Sequence, residues 1–438
     1  MKGTPKLPFF FLVFLILLLL SIKGFAIDRK TALLIEEEIQ KNNPEVLKIR
    51  QYLHMNPELS HEEYQAARLV TSKLISLGLE VKTGVAKTGV VALLRGSQQG
   101  HTVGVSADMD ASAIQEMTDV PFKSLNAGVM HACGHDIHAS IALGTAMVLT
   151  ALRDKIKGNI KFIFQPGGDA PPGEEGANLL IKEGVLEGPS VGAIFGLHAW
   201  PENLGKVFFS AGHIMANSDW FQITIKGKSF YGARPEEGID SIAIAANIVL
   251  SLQSMVSRTI DPVDPAVLTI GKIEGGTNPN ISAESVNLMG TVRALSEKNR
   301  QKIKQMIESV VKGITQSFGA DYAFNYMNGI PAVYNHPQLA EIMLPTLLNL
   351  LGKANVQELK PQMETEDFSY YCQKIPGFFF LLGVKDPAQE TTAPLHSPYF
   401  NADERCIPLG IKIMCHLLLD CLERQSSQQE NARPSFIN

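Results

Sequence analysis

Apolar residues in the first half of the chain change their spacing from one segment to the next. Residues 62–77 carry them at helical spacing, whereas residues 102–107 and 160–164 are short β-rich runs that end in polar residues, Pro or Gly. Strands that alternate with helices indicate a largely parallel sheet with helices on both faces. The pattern therefore predicts an α/β fold, in which ligands gather at the carboxyl ends of the strands.

The spacing changes near Asp219, where apolar and polar residues begin to alternate with period two. Beyond that point the elements follow the order β-α-β-β-α-β, which predicts a small ferredoxin-like α+β domain inserted into the larger one. The segments that give this order are strands near 220–226, 267–273, 285–293 and 322–328, and helices near 240–257 and 297–317.

These patterns divide the 438 residues into more than one folded unit, as a chain of this length predicts. We expect the larger domain in two parts, 27–217 and 329–424, on either side of the inserted domain at 218–328. A tail at 425–438, rich in Ser, Gln and Asn, is expected to be disordered.

The first 26 residues have the composition of a targeting segment. Lys2 and Lys6 precede an unbroken apolar run at 7–22, and the small residues Gly24 and Ala26 follow it. This order predicts a signal peptide cleaved after Ala26, and hence export to the outside, the periplasm or the ER lumen. The alternative is a membrane anchor formed by residues 7–22, which is slightly short for a spanning helix.

The charge of the chain indicates which partners it binds, and its cysteine count indicates whether disulfides are expected. The formal net charge is −5 and no Lys/Arg block stands out beyond the N-terminus, so we expect no nucleic-acid partner and, after signal cleavage, no membrane partner. A small-molecule substrate fits this net negative charge better than a nucleic acid does. The five cysteines are an odd number in a large chain, so no disulfide framework is implied.

Four candidate metal ligands occur within residues 130–138, where a loop is expected to enter a helix. A thiolate at Cys133 and an imidazole at His135 can reach one ion or a pair of ions, and Gly134 allows the tight backbone path between them. Asp136 could orient an imidazole from behind. The alternative is a buried cysteine beside polar residues that cap the helix.

Further candidate ligands follow other predicted strands. Asp108 and Asp110 end the strand at 102–107, His198 follows the apolar run at 193–197, and His396 lies beyond the run at 378–384. Each alone could simply satisfy backbone groups. Together they offer nitrogen, sulfur and oxygen ligands at one edge of a sheet, which favours a metal site.

The chain resembles the metal-dependent amidohydrolase family of hippurate hydrolases and plant auxin-amino-acid conjugate hydrolases. The resemblance implies a zinc-peptidase-like catalytic domain with an inserted lid or dimerisation domain, two divalent ions (Zn or Mn), and hydrolysis of N-acyl amino acids, by a homodimer if the inserted domain serves dimerisation. The matching motifs are residues 107–111, 130–136 and 196–201, Gly290-Thr291-Val292-Arg293 and Glu366-Asp367-Phe368.

The resemblance also implies roles for single residues. Asp110 matches an acidic residue that positions the metal-site groups. Asn280 and Arg293 match residues that could hold a substrate carboxylate, although hydrogen bonding at strand ends would explain them equally well. The family's metal ligands fall on Cys133, His135, His198 and His396.

The chain departs from the family at the proton-handling positions. Where the family reads Gln-Pro-Ala-Glu-Glu, with a general base followed by a metal ligand, this chain places Gly168 and Asp169. We expect Asp169 as the ligand and Glu174 as the remaining proton acceptor. In an alternative register, Glu174 and Glu175 are the catalytic pair.

A second departure lies in the inserted domain. Tyr231 replaces a histidine that is expected to stabilise the developing oxyanion, and a tyrosine donates one hydrogen bond without a cationic form at neutral pH. Three functions therefore remain open: an amidohydrolase, a catalytically impaired homologue that binds metal and ligand, and a structural dimer subunit.

Overall fold

Eight strands form one mixed sheet at the centre of the larger domain. The structure is a computed structural model that describes residues 27–388 and 393–432, so the expected signal peptide lies outside the described residues. The strand order is β1-β2-β4-β3-β5-β14-β6-β13. The strands are β1 (Glu80–Val85), β2 (Gly89–Arg95), β3 (Gln98–Asp108), β4 (Lys157–Gln165), β5 (Val191–Asn203), β6 (Val207–Phe209), β13 (Val356–Glu358) and β14 (Gly377–Lys385).

The four central strands run parallel to one another. β3 pairs in parallel with both β4 and β5, and β14 pairs in parallel with β5. The β1–β2 and β2–β4 pairs are antiparallel. This arrangement confirms the expected α/β fold, and it brings the carboxyl ends of β3, β4, β5 and β14 to one edge of the sheet.

Helices bury the apolar faces of this sheet. The helix His135–Ala151, here α3, is buried from residue 135 to residue 149 because it lies between α1 and the final helix. At Gly144 a Cβ would lie 2.3 Å from Ile411 Cδ1, so glycine permits this close packing. The helices of this domain are α1 (Arg29–Met55), α2 (Tyr64–Ser76), α3, α4 (Gly176–Lys182), α7 (Pro337–Leu351), α8 (Ser369–Cys372) and α9 (Cys406–Ala432).

The C-terminal tail, expected to be disordered from residue 425, begins as part of the final helix. Helix α9 continues to Ala432, so the tail does not lose regular structure at residue 425 as the composition suggested. The polar residues 425–432 extend the helix beyond the apolar residues that pack on the sheet. Residues 433–438 lie outside the described residues.

The insertion folds around a second hydrophobic core. Its antiparallel sheet has the order β11-β8-β10-β9, and two helices contact it. Asp240 and Ser296 cap the N-termini of these helices through their side chains. The elements are β8 (Asp219–Lys226), α5 (Ser241–Thr259), β9 (Ala266–Gly275), β10 (Ser285–Ala294), α6 (Glu297–Ser317) and β11 (Asp321–Met327).

Two remaining features complete the fold. A two-stranded sheet of β7 (Gly212–Met215) and β12 (Val333–Asn335) lies at the passage between the two domains. Among the described residues, α5 is long and apolar enough to span a membrane by length and composition. This is weak evidence for a span, because Ile244, Ile248 and Leu252 of α5 belong to the second core.

Candidate metal centre

Gly134 sets the geometry of the loop that carries Cys133 and His135. It adopts a φ of 84° at the start of α3, a backbone conformation that favours glycine, and a Cβ here would lie 2.9 Å from Ala199 Cβ. The turn directs the Cys133 thiol towards β5, where its Sγ lies 3.4 Å from Nε2 of His198. The loop thereby brings the Cys133 thiol next to His198 of β5.

His396 approaches the same sulfur atom from the opposite end of the chain. Its backbone N–H donates to the carbonyl of Ala132 over 2.9 Å, and its Nε2 lies 3.2 Å from Cys133 Sγ. Its φ of 61° is unusual for a residue other than glycine. The imidazole is about half exposed, so it forms the solvent side of the centre.

Two groups of ligand atoms share the Cys133 sulfur. One group is Cys133, His135 and His198, and the other is Cys133, Asp169 and His396; within each group the atoms lie within 4.8 Å of one another. Tetrahedral zinc with ordinary Zn–S and Zn–N bonds separates sulfur from nitrogen by about 3.5 Å. The observed separations of 3.4 and 3.2 Å therefore fit a metal site. The structure brings together all five residues predicted as metal ligands.

Asp110 fixes the orientation of His135. Nδ1 of His135 lies 2.9 Å from the carbonyl and 3.0 Å from Oδ1 of Asp110, and it donates its proton there. Nε2 then faces Cys133 and Asp108 and is the ring nitrogen left to bind a metal ion.

Asp110 itself is saturated by donors, in agreement with the positioning role expected of it. Besides His135, its carboxylate accepts from Ser60 Oγ at 2.6 Å and from the backbone N–H groups of Gly168 and Asp169, each at 2.9 Å. A fully buried carboxylate with four donors has no free oxygen for proton transfer. It ties the turn after β4 to the His135 ligand.

Burial sets the charges of the centre. It raises the pKa of the Cys133 thiol to about 12, and nearby Asp169 adds to this effect. Burial, together with His138, lowers the pKa of His198 to about 3, so this imidazole is neutral at ordinary pH. A neutral imidazole is ready to bind a cation, whereas a thiol in this setting needs a cation in order to lose its proton.

His138 supports the metal centre through hydrogen bonds and has no ring nitrogen left to bind a metal ion. It belongs to a third group with Asp108 and His135, but the backbone N–H of Ala199 donates to its Nε2 over 2.7 Å. Nδ1 must then carry the proton, which it donates to Asp108 Oδ1 at 2.7 Å. Both ring nitrogens are therefore occupied.

Asp136 orients a histidine, but not one of the metal ligands. Its Oδ2 lies 2.7 Å from Nδ1 of His54 and 3.0 Å from Nε of Arg50, and all three side chains are buried. The Arg50 guanidinium also lies 4.4 Å from the centre of the Phe122 ring. Burial alone raises the pKa of Asp136, but Arg50 and His54 outweigh it and hold this pKa well below its usual range.

This buried pair gives a prediction for stability. Asp136→Asn leaves the buried Arg50 charge with the longer contact to Glu404, whose Oε1 lies 3.4 Å from Nη1, so we expect the free energy of unfolding to fall by about 3–5 kcal/mol. Urea unfolding at neutral pH measures the change. Lys41→Ala, which removes an exposed ion pair with Glu38, should cost less than about 1 kcal/mol. Equal losses in the two variants would contradict the assigned role.

The structure places Glu174, the expected proton acceptor, at the surface and outside the ligand groups. Its side chain is 58% exposed and faces Lys87, with Oε2 3.7 Å from Nζ. The turn at Pro171, Pro172 and Gly173 directs it outwards, because Glu174 N–H donates back to the Pro171 carbonyl over 3.0 Å. Glu175 is buried and belongs to none of the ligand groups, so the alternative register is not supported.

One of the two predicted carboxylate-binding residues reaches the centre. Arg293 lines a cavity of about 360 Å³ beside the ligand groups, and its Nη1 is buried without a hydrogen-bond partner among the described residues. Asn280 and Tyr231 are exposed on the inserted domain and do not line this cavity. Within one chain, neither can act at the centre as expected.

Glu366 lines the same cavity, although its sequence motif predicts no role for it. Its motif had been matched to the family, but the motif alone did not show which of its side chains faces the centre. Phe368 N–H donates to Oε1 of Glu366 over 3.1 Å and fixes its orientation. Burial raises the pKa of Glu366 well above its usual range, and the charges of Asp108 and Asp367 add to the shift.

Known proteins share much of the sequence of this chain. Residues 104–420 match the peptidase family M20/M25/M40. A Synechocystis protein named as a hydrolase is 40% identical over 371 residues, which cover 84% of this chain and 93% of that protein. An IAA-amino acid hydrolase of Arabidopsis thaliana is 38% identical over 83% of each chain.

Two further relatives bear on the chemistry. An N-acetyl-L-cysteine deacetylase of Bacillus subtilis is 35% identical and covers 83% of this chain and 85% of its own. The crystal structure of a dinuclear metal-binding M20 peptidase from Bacillus subtilis superimposes with a TM-score of 0.75 at 32% identity, over 88% of this chain and 99% of the other. This neighbour supports two divalent ions at the present centre.

A parallel sheet whose strand ends collect thiol, imidazole and carboxylate ligands is the arrangement of a metallohydrolase. The match over most of the sequence agrees with this class. The chain belongs to the M20/M25/M40 peptidase family.

Proposed function

We propose that this protein hydrolyses the amide bond of N-acyl amino acids or related small conjugates, with two divalent ions of zinc or manganese. The observation that carries the proposal is the pair of ligand groups around Cys133, which open onto a cavity lined by Arg293. The cavity has the size of a small-molecule site. Relatives named as an IAA-amino acid hydrolase and an N-acetyl-L-cysteine deacetylase support an amide of an amino acid as the substrate class.

The two ends of such a substrate find complementary groups in the cavity. The Arg293 guanidinium stays charged despite its burial and can hold the carboxylate of the amino acid. The apolar side chains of Trp200, Met215 and Leu395 line the same cavity and can receive the acyl group. When bound, two divalent ions supply carbonyl polarisation and an activated water.

We assign the proton transfer to Glu366. Glu364 and Glu366 both line the cavity without belonging to a ligand group, but Glu364 is exposed and its charge lies beside Arg293. Glu366 is held by Phe368, and its raised pKa makes its carboxylate a stronger proton acceptor than an ordinary carboxylate. Gly168 offers no side chain for this step.

A second candidate function follows from Gly168. A chain that retains the ligand groups but lacks the family's base could bind metal and ligand without turnover. This alternative shares every metal-site residue with the enzyme, so only turnover separates the two. We favour the enzyme because Glu366 places a carboxyl group in the cavity.

A hydrolysis screen tests the proposal directly. Protein loaded with zinc or manganese is incubated with N-acetyl and N-benzoyl amino acids, and release of the free amino acid is measured. We expect turnover that a chelator abolishes, and a loss of about 10²–10⁴-fold in Glu366→Gln at unchanged metal content. Glu174→Gln is the matched control and should retain activity. Bound metal without turnover on any substrate would favour the binding protein.

Export is also a proposal, supported by the basic residues and the apolar run at 7–22. Expression of the full gene followed by N-terminal sequencing tests it. A mature chain that begins at residue 27 is expected, and an intact N-terminus in the membrane fraction would instead support an anchor.

Pairing of two chains through the inserted domain is proposed as well. Its exposed apolar residues Trp220, Leu250 and Ile273 favour such contact. Sedimentation of the purified protein at about twice the chain mass would agree with a homodimer, and a monomer at micromolar concentration would argue against it.

A further inference from the structure

The strand that carries Arg293 loses its regular neighbour just before this residue. β8 pairs with β10 up to Asp219 opposite Val292, so Arg293 and Ala294 extend beyond the end of β8. On the other side, β9 still pairs with both residues. The open edge of β10 at this point needs other hydrogen-bond partners, because its backbone is buried.

Asn217 provides those partners. Its backbone N–H donates to the Ala294 carbonyl over 2.9 Å, and its side-chain Oδ1 accepts from the Ala294 N–H over 2.7 Å. Its Nδ2 donates to the Val292 carbonyl over 3.3 Å. The Asn217 side chain is fully buried, and both of its polar atoms are used on the residues that flank Arg293.

The neighbours of Asn217 are attached to the wall of the cavity. Ala216 N–H donates to the carbonyl of Glu364 over 3.0 Å, and Ser218 N–H donates to the carbonyl of Ile330 over 2.9 Å. Glu364 lines the same cavity as Arg293. Asn217 therefore connects β10 to the segment of the larger domain that faces it across the cavity.

Because of the geometry of β10, this connection determines where the Arg293 side chain points. Val292 and Ala294 are fully buried in the second core, so Arg293 between them points to the other face of the strand, where the cavity lies. Fixing the backbone of residues 292 and 294 fixes the point from which the guanidinium extends. Within the part of the chain that the structure describes, Nη1 of Arg293 has no hydrogen-bond partner that could hold it in place.

We propose that Asn217 is a positioning residue that aims the Arg293 guanidinium at the carboxylate of the substrate. This inference rests on the proposed function, which supplies the carboxylate. The nearby pair of Asp219 and Arg300 has a different role. It joins β8 to Gly329, through bonds of 2.8 Å from Arg300 Nε and 2.9 Å from Gly329 N–H. Asp219 pairs with Val292 through its backbone, but among the described residues its side-chain hydrogen bonds do not include residues 292–294.

Binding measurements on the metal-loaded protein test the inference. Calorimetry compares an N-benzoyl amino acid with its carboxamide, which lacks the negative charge. We expect Asn217→Ala to weaken binding of the acid at least about tenfold and that of the carboxamide less than about threefold, as Arg293→Ala should. The double variant should lose little more than either single variant, because both changes remove the same contact.

Two further variants keep the test decisive if Asn217→Ala is unstable. Asn217→Asp retains the acceptor for the Ala294 N–H but loses the donor to Val292, and it should show the same selective loss for the acid. Asn287→Ala is the matched control, since Asn287 lies on the same strand and bonds to Thr224, away from Arg293. It should bind both ligands as the wild type does.

The binding and turnover results distinguish a failure of the positioning role from a failure of the proposed hydrolysis. Equal weakening of acid and carboxamide by Asn217→Ala, or additive losses in the double variant, would overturn the positioning role. So would a wild type that binds the acid no better than the carboxamide. Selective binding of the acid without turnover would contradict the proposed hydrolysis and leave the positioning role standing.

Discussion

Replacing Cys133 by alanine is expected to remove the metal centre. The Cys133 sulfur belongs to both ligand groups, so its loss leaves two ligands in each of them. We expect metal content to fall from about two ions per chain to one or none, and the affinity for any remaining ion to fall by more than about 100-fold, beyond the effect of removing a residue that merely supports a ligand. Metal analysis after dialysis measures the content, and turnover should be lost with it.

Cys415→Ala provides the matched control for this prediction. Cys415 is also a fully buried thiol, but it lies in the core on α9 and belongs to none of the ligand groups. Its replacement should lower stability by about 1 kcal/mol and leave metal content unchanged. If both variants keep their metal, Cys133 is not a ligand and the account of the centre is wrong.

In the Glu366→Gln background, Gly168→Glu is expected to increase turnover by about 10²–10⁴-fold, because it returns a carboxylate to the position of the family's general base. The backbone of Gly168 is already held by Asp110, so the new side chain would start from a fixed point. A Cβ there would lie 3.0 Å from Oδ2 of Asp108 and 3.2 Å from Oδ1 of Asp110, so these neighbours must move by a few tenths of an ångström. A stability cost of about 1–3 kcal/mol should accompany the gain.

The control for this change is Gly168→Gln. Glutamine fills the same space and meets the same neighbours but cannot accept a proton. It should show the loss of stability without the gain in turnover. Glutamate and glutamine variants of equal activity in that background would show that a carboxylate at position 168 does not replace Glu366 in proton transfer.

The sequence was informative wherever a signal depended on local spacing. The change from helical to alternating periodicity near Asp219 marks the residue at which β8 begins. Cys133 and His135 were recognisable because Gly134 separates them at the start of a helix. Asp108 was recognisable because it ends β3, and the carboxyl ends of parallel strands must meet. His198 was recognisable because it follows the apolar run at 193–197, although β5 continues past it to Asn203.

Sequence reasoning was weakest where function depends on where a side chain points. Glu174 is an acidic residue close to the motif, yet a proline-rich turn directs it to solvent. Glu366 was overlooked because its motif alone does not show that its side chain shares a cavity with His198 and Arg293, which lie far away in sequence. Asn217 gave no signal at all, since its role is visible only once β8 is seen to end before Arg293.

The most direct test of the account is the position of the metal itself. Crystals of the protein grown with zinc and measured at the zinc absorption edge should show two anomalous peaks, each about 2.3 Å from Cys133 Sγ. One peak is expected beside His135 and His198, and the other beside Asp169 and His396. Peaks that lie elsewhere, or an empty site in zinc-saturated crystals, would contradict the central claim that one thiolate joins two metal sites.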